Sequence, residues 1–125
     1  MKITASEQEF IRQRILTHAN LNYAGKFTRL DIRFRGPLVT IDAYREPQPP
    51  YPELLVFRGE TSEQFYEKMR KLPTHLCRLR HFRGDRWAVA FYRYSTESYT
   101  PCMVGDGWFV TLEAGFDIGA VYLES

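Results

Sequence analysis

Polar and apolar residues alternate with a period of two along Leu30–Phe34, Leu38–Ala43 and Cys77–His81. Apolar residues recur at helical spacing along Phe10–Ala19 and Phe65–Leu72. The first pattern belongs to strands with one buried face, the second to helices with one buried stripe. Together they predict helices over about 6–20 and 62–72 and β-hairpins over about 27–45 and 76–94.

Local chemistry supports each element. Ser6 followed by Glu9 fits a capping box, with Phe10, Ile11, Ile15, Leu16 and Ala19 behind it and Asn20, Asn22 and Gly25 as stop signals. Gly36-Pro37 suits a two-residue hairpin turn, because Gly accepts the positive φ of a type II′ turn. That turn pairs Arg35 with Leu38, Phe34 with Val39, Ile32 with Ile41 and Leu30 with Ala43. One face is then apolar; the other carries Arg29, Asp31, Arg33, Arg35, Thr40, Asp42 and Tyr44. Thr61 with Gln64 makes a second capping box, and Pro73 ends the helix that follows.

The second hairpin has two registers. A two-residue Gly84-Asp85 turn suits the glycine. A three-residue Arg83–Asp85 loop aligns Cys77, Leu79 and His81 with Trp87, Val89 and Phe91, and sends Arg78, Arg80, Tyr92 and Tyr94 outward. The second is preferred because it gives one clean apolar face.

Four prolines in Glu46–Pro52 predict an extended connector, and Glu53–Arg58 a short strand. Strands over about 99–104 and 107–110 flank Gly105-Asp106-Gly107. Thr111 caps a helix over about 111–124, with Gly115 and Gly119 four apart to admit a close neighbour; a strand over Ile118–Leu123 is the alternative. The expected fold is a single α+β domain: an antiparallel sheet of two hairpins and a C-terminal meander, packed against two or three helices. One sheet face is covered, and the other is rich in Arg and Tyr.

Composition narrows the class. In 125 residues, 44% are hydrophobic and 26% charged, which fits a globular chain and argues against a disordered or collagen-like one. No apolar run approaches the roughly 18–20 residues of a membrane helix, and no apolar segment follows Lys2 as in a secretory signal. A cytoplasmic protein without membrane contact is expected, with Cys77 and Cys102 as reduced thiols. The net charge of +2 names no partner. Its distribution is more informative: residues 76–95 carry five Arg against Asp85, whereas residues 96–125 carry five acids and no Lys or Arg. Attraction between the basic hairpin and the acidic tail, within the fold or across a dimer, is the simplest structural expectation.

No catalytic constellation, metal site or cofactor is expected. His75, Cys77 and His81 share strand parity, but His75 and His81 would lie roughly 20 Å apart, too far to hold one ion. Cys102 has no His near it in sequence, and no nucleophile motif surrounds either cysteine. Asp31 opposite Asp42 is a carboxylate pair, flanked by Arg29 and Arg33, which neutralise it. The aromatic content of 15% exceeds what the core alone accounts for. Arg29, Arg33, Arg35, Arg78, Arg80, Tyr92, Arg93 and Tyr94 form a candidate ligand or partner surface. Trp87, Phe91, Tyr99 and Trp108 form a candidate aromatic pocket between sheet and helices. The first expectation is a non-enzymatic binding or interaction module using the Arg/Tyr face, as a homodimer or with a protein partner. Single-stranded nucleic-acid binding through hairpin 76–95 is the first alternative. A small enzyme or ligand carrier with an aromatic pocket is the second.

Overall fold

A computed structural model describes residues 2–47, 52–59, 61–105 and 107–124. The elements in order are α1 (Ala5–Asn22), β1 (Arg29–Arg35), β2 (Leu38–Tyr44), α2 (Pro52–Arg58), α3 (Ser62–Arg70), β3 (Thr74–Arg83), β4 (Arg86–Arg93), β5 (Ser98–Cys102), β6 (Phe109–Val110) and α4 (Leu112–Gly119). A 3-10 turn over Ala120–Leu123 follows. The fold is α+β, with one antiparallel sheet ordered β1-β2-β3-β4-β5 and β6 beside β4. No described helix is long and apolar enough to cross a membrane.

The first hairpin has the expected register, from Arg35 opposite Leu38 to Leu30 opposite Ala43, and Gly36 takes φ +57° in its turn. In the second hairpin both registers contribute. Gly84 and Asp85 form a two-residue turn closed by Arg83 and Arg86. A bulge at Phe82 then adds one residue, so His81 meets Trp87, Leu79 meets Val89 and Cys77 meets Phe91. The turn satisfies the glycine and the bulge restores the apolar face.

Three expectations are corrected. The capping box of α1 is Thr4 with Glu7 and not Ser6 with Glu9, because the buried stripe is Ile11, Ile15 and Ala19, while Phe10 stays exposed. Glu53–Arg58 is helical, within α2, and leaves Val56 and Phe57 exposed. As a helix it satisfies its backbone internally, whereas a strand there would need a sheet partner. The connector before it falls partly on residues 48–51, outside the described residues. Strands β5 and β6 do not form a hairpin with each other; both pair with the same edge of β4, and among the described residues an isolated bridge joins Val104 to Gly107 between them. The helix expected over about 111–124 is present, with α4 passing into the 3-10 turn in place of the alternative strand over Ile118–Leu123. Thr111 caps α4 as expected, its hydroxyl accepting from the Ala114 amide at 3.2 Å.

Helices α1 and α4 cover the inner sheet face, where Val39, Ile41, Leu76, Leu79, Trp87, Leu112 and Phe116 are fully buried. Burying such side chains contributes roughly 1.5–3 kcal/mol each. The two glycines set the approach of α4: a Cβ at Gly119 would sit 2.7 Å from the Leu76 carbonyl oxygen, and one at Gly115 would sit 2.5 Å from the end of the Leu79 side chain. With α1 and α4 on one side, the other face of the sheet is left open.

Candidate functional site

Strand pairing arranges the outer sheet face in three rows. The first runs Asp31, Asp42, His75, then Tyr92 and Tyr99. Next come Arg33, Thr40, Arg78, Ala90 and Pro101. The last holds Arg35, Leu38, Arg80, Ala88 and Phe109. Thr40 and Ala90 are small, so the middle row sinks between its neighbours. The result is an open cavity of about 510 Å³ whose walls include Arg33, Arg35, Thr40, His75, Arg78, Tyr92 and Tyr99.

Asp42 anchors this site. It is only 3% exposed, although it lies on the open face. A carboxylate can be buried there because it accepts from Arg33 Nη2 at 2.7 Å and from His75 Nδ1 at 2.9 Å. Its pairing directs the His75 Nδ1 proton to Asp42 and leaves Nε2 for a ligand. The His75 ring packs against Tyr92, with centroids 4.4 Å apart, and the Tyr94 hydroxyl accepts from the His75 amide at 2.9 Å. The Arg78 guanidinium lies 4.2 Å from the centroid of the Tyr99 ring. Burial, helped by the charge of Asp42, pushes the Tyr99 hydroxyl up to about 12. Tyr99 is therefore neutral, and able to donate a hydrogen bond, throughout the physiological range.

The expected surface residues are thus sorted. Arg33, Arg35, Arg78 and Tyr92 line the cavity, together with Tyr99 from the expected aromatic pocket. Arg80 lies one row away, in a second depression of about 350 Å³ with Phe82, Ala88 and Phe109. Tyr94 supports His75 from beyond the end of β4. Arg29 stacks on Tyr44 at 4.2 Å, at the far end of β1. Arg93 alternates with Tyr92 along β4 and so points to the opposite side of the sheet. Trp87 is buried in the core, Phe91 shares its inner face, Tyr99 lies on the outer face and Trp108 is 52% exposed. Those four aromatics do not line one cavity.

The sequence reading missed the role of His75, which it placed on the same side as Cys77. In the structure a bulge sets Ile41 against Cys77 and Asp42 against His75, so Leu76 is the extra residue. Leu76 and Cys77 both enter the core, and His75 turns outward to Asp42. The signal was the adjacent apolar pair Leu76-Cys77, which breaks strict alternation. Among the described residues, no group of three or more His, Cys, Asp or Glu is arranged to hold a metal ion.

Among the described residues, no acid of the tail pairs with an arginine of the basic hairpin. Glu113 pairs with Arg14, Asp117 with His18 at 2.7 Å and Glu124 with Lys26 at 3.1 Å. Asp85, the acid of the hairpin turn, also pairs with Arg14, at 3.0 Å. Burial opposes ionisation of Asp85, but the hydrogen bonds from Arg14 hold its carboxyl below the usual carboxylate range. These acids belong to the α1 side of the molecule. Arg35, Arg78, Arg80, Arg83 and Arg86 accordingly form no ion pair among the described residues.

No protein-family model matches the chain, and no curated protein or solved structure matches it significantly. Function therefore rests on the site itself. A cavity with arginines on two sides, a histidine of fixed orientation and two tyrosine rings can bind an anion by charge-assisted hydrogen bonds and a flat ring by stacking.

Proposed function

We propose that this protein is a binding module whose outer sheet face takes a ligand with an anionic group beside a planar ring. The observation that carries this reading is the convergence of Arg33, Arg35, Arg78 and His75 on one cavity whose buried acid, Asp42, already has its partners. The anion sits among the guanidinium groups and His75, and the ring lies against Tyr92 or Tyr99. Arg35 and Arg78 carry charge that no described carboxylate meets, which supports an outside anion as their counterpart.

Phenyl phosphate is the simplest probe, with inorganic phosphate as its anion alone and benzylamine as a ring bearing the opposite charge. Phenyl phosphate is expected to bind more tightly than phosphate, and benzylamine not at all. At about one hundred times its Kd, a ligand stabilises the native state by about 2.7 kcal/mol, which raises Tm by about 10 °C in a domain of this size. Arg78→Ala should remove most of that shift. No shift with either anion, or a shift indifferent to Arg78→Ala, contradicts the reading. An acidic surface of a protein, including a second copy of the chain, is the other candidate for this face; sedimentation at rising concentration tests the second copy.

A further inference from the structure

The cavity is only half of a longer feature. One row beyond it lies the second depression, floored by Ala88 and walled by Arg80, Phe82 and Phe109. The Phe82 and Phe109 rings stack with centroids 4.8 Å apart and planes inclined by 31°. Arg86 lies 5.0 Å from the Phe109 centroid, and Arg83 lies 5.2 Å from that of Phe82. Both rings reach solvent, at 46% and 39% exposure, on the same face as Tyr92 and Tyr99.

The ground between the two depressions is low and positively charged. Ala90 faces Arg78 and Ala88 faces Arg80 across the β3–β4 ladder. Along β4, the step from Tyr92 to Ala88 covers about 13 Å at the rise of a strand. The outer face therefore presents rings, then arginines over a floor of small side chains, then rings again. A small anion fills only one end. A ligand that fills the whole must be a polymer that repeats a negative charge and a flat ring.

We propose that this face is a groove for single-stranded nucleic acid, running from Tyr92 and Tyr99 to Phe82 and Phe109. The proposal rests on the anion-binding reading of the first cavity and extends it along the sheet. Phosphates lie over Arg78 and Arg80, and unpaired bases stack on the ring pairs at either end. Stacking of this kind needs bases free of a duplex and tolerates any sequence. Alternation of rings and guanidinium groups favours a nucleic acid over an acidic peptide, which offers charge without flat rings.

The test is fluorescence anisotropy with a mixed-sequence octanucleotide as RNA and as DNA, and with the matching dinucleotide, duplex and octaglutamate. The single-stranded octanucleotide is expected to bind at least about tenfold more tightly than the other three ligands. With two phosphates engaged, over Arg78 and Arg80, its affinity should fall about sevenfold between about 50 and 200 mM salt. Phe82→Ala, and separately Arg80→Ala, should each weaken the octanucleotide by about tenfold. Both are surface changes, and neither should alter phenyl phosphate binding. A preference for RNA over DNA, or the reverse, identifies the natural strand, and either supports the groove. Equal binding of duplex or octaglutamate overturns it, as does an octanucleotide no tighter than the dinucleotide. If phenyl phosphate still binds in those cases, only the extension has failed; if it does not, the first cavity has failed as well.

Discussion

The Asp42 carboxylate and the His75 imidazole meet at 2.9 Å across β2 and β3, on the sheet face opposite the core. The contact exists because a bulge at Leu76 changes the parity of β3. It gives the open face a well-buried charge, shared with Arg33 at 2.7 Å.

The two ways of breaking this cluster should differ in cost. Asp42→Asn removes the buried charge and weakens its hydrogen bonds, at about 1.5–3 kcal/mol. The double variant Arg33→Ala/His75→Ala leaves the carboxylate buried without partners, at about 3–5 kcal/mol. Urea unfolding should therefore rank the double variant as the less stable. The reverse order would mean that the carboxylate is not buried as described.

Alkaline pH should weaken the fold through two tyrosines. Burial raises Tyr99 to about 12, assisted by Asp42, and raises Tyr23 to about 12, assisted by its hydrogen bond to Asp117. A phenol whose ionisation is raised on folding stabilises the native state fully below its unfolded value of 10.0. That contribution is lost as the pH climbs from there to about 12. Stability against urea should decline across this window, and less steeply in Tyr23→Phe/Tyr99→Phe. An unchanged slope in the double variant would contradict the assignment.

The two thiols should react differently. Cys77 is fully buried, and burial pushes its thiol up to about 12. Cys102 is half-buried at the end of β5, its thiol donating to the Met103 carbonyl at 3.3 Å. Since the thiolate is the reactive form, a disulfide reagent at mildly alkaline pH should modify Cys102 in the native protein and Cys77 only after denaturation. Equal rates for the two thiols would place Cys77 outside the core.

Gly115 and Gly119 should respond differently to the same change. Gly119→Ala drives a Cβ toward the backbone of Leu76, which cannot rotate away, and should cost about 1–3 kcal/mol. At Gly115 the obstacle is the end of the Leu79 side chain. Leu79 can shift, and the gain in helix propensity of about 1 kcal/mol offsets the crowding, so Gly115→Ala should be close to neutral. Thermal unfolding of the two variants gives the comparison directly.

Much of this fold is legible in the sequence where turn chemistry and alternation agree. Gly36-Pro37 and the apolar rows on either side determine the first hairpin to the residue. The second hairpin was ambiguous because Gly84 and the apolar face ask for different registers, and only a bulge reconciles them. The same device hides the site: strict alternation assigns His75 to the core side, and Leu76 reverses it. Arg33, Arg35, Arg78 and Tyr92 could be read as outward residues from strand parity alone. Their convergence with Tyr99 could not, since it depends on β5 lying beside β4. The charge pattern was visible, but its pairing was not: Glu113 and Asp117 of the tail pair with α1, far away in sequence, and leave the described hairpin arginines to the outside.

Mapping phenyl phosphate onto the backbone amides by NMR tests the central claim most directly. The largest shifts should fall at Thr40, His75, Arg78, Ala90 and Tyr99, should saturate, and should shrink as salt is raised. Shifts confined to α1 and α4, or none at millimolar ligand, would contradict a binding site on the outer sheet face.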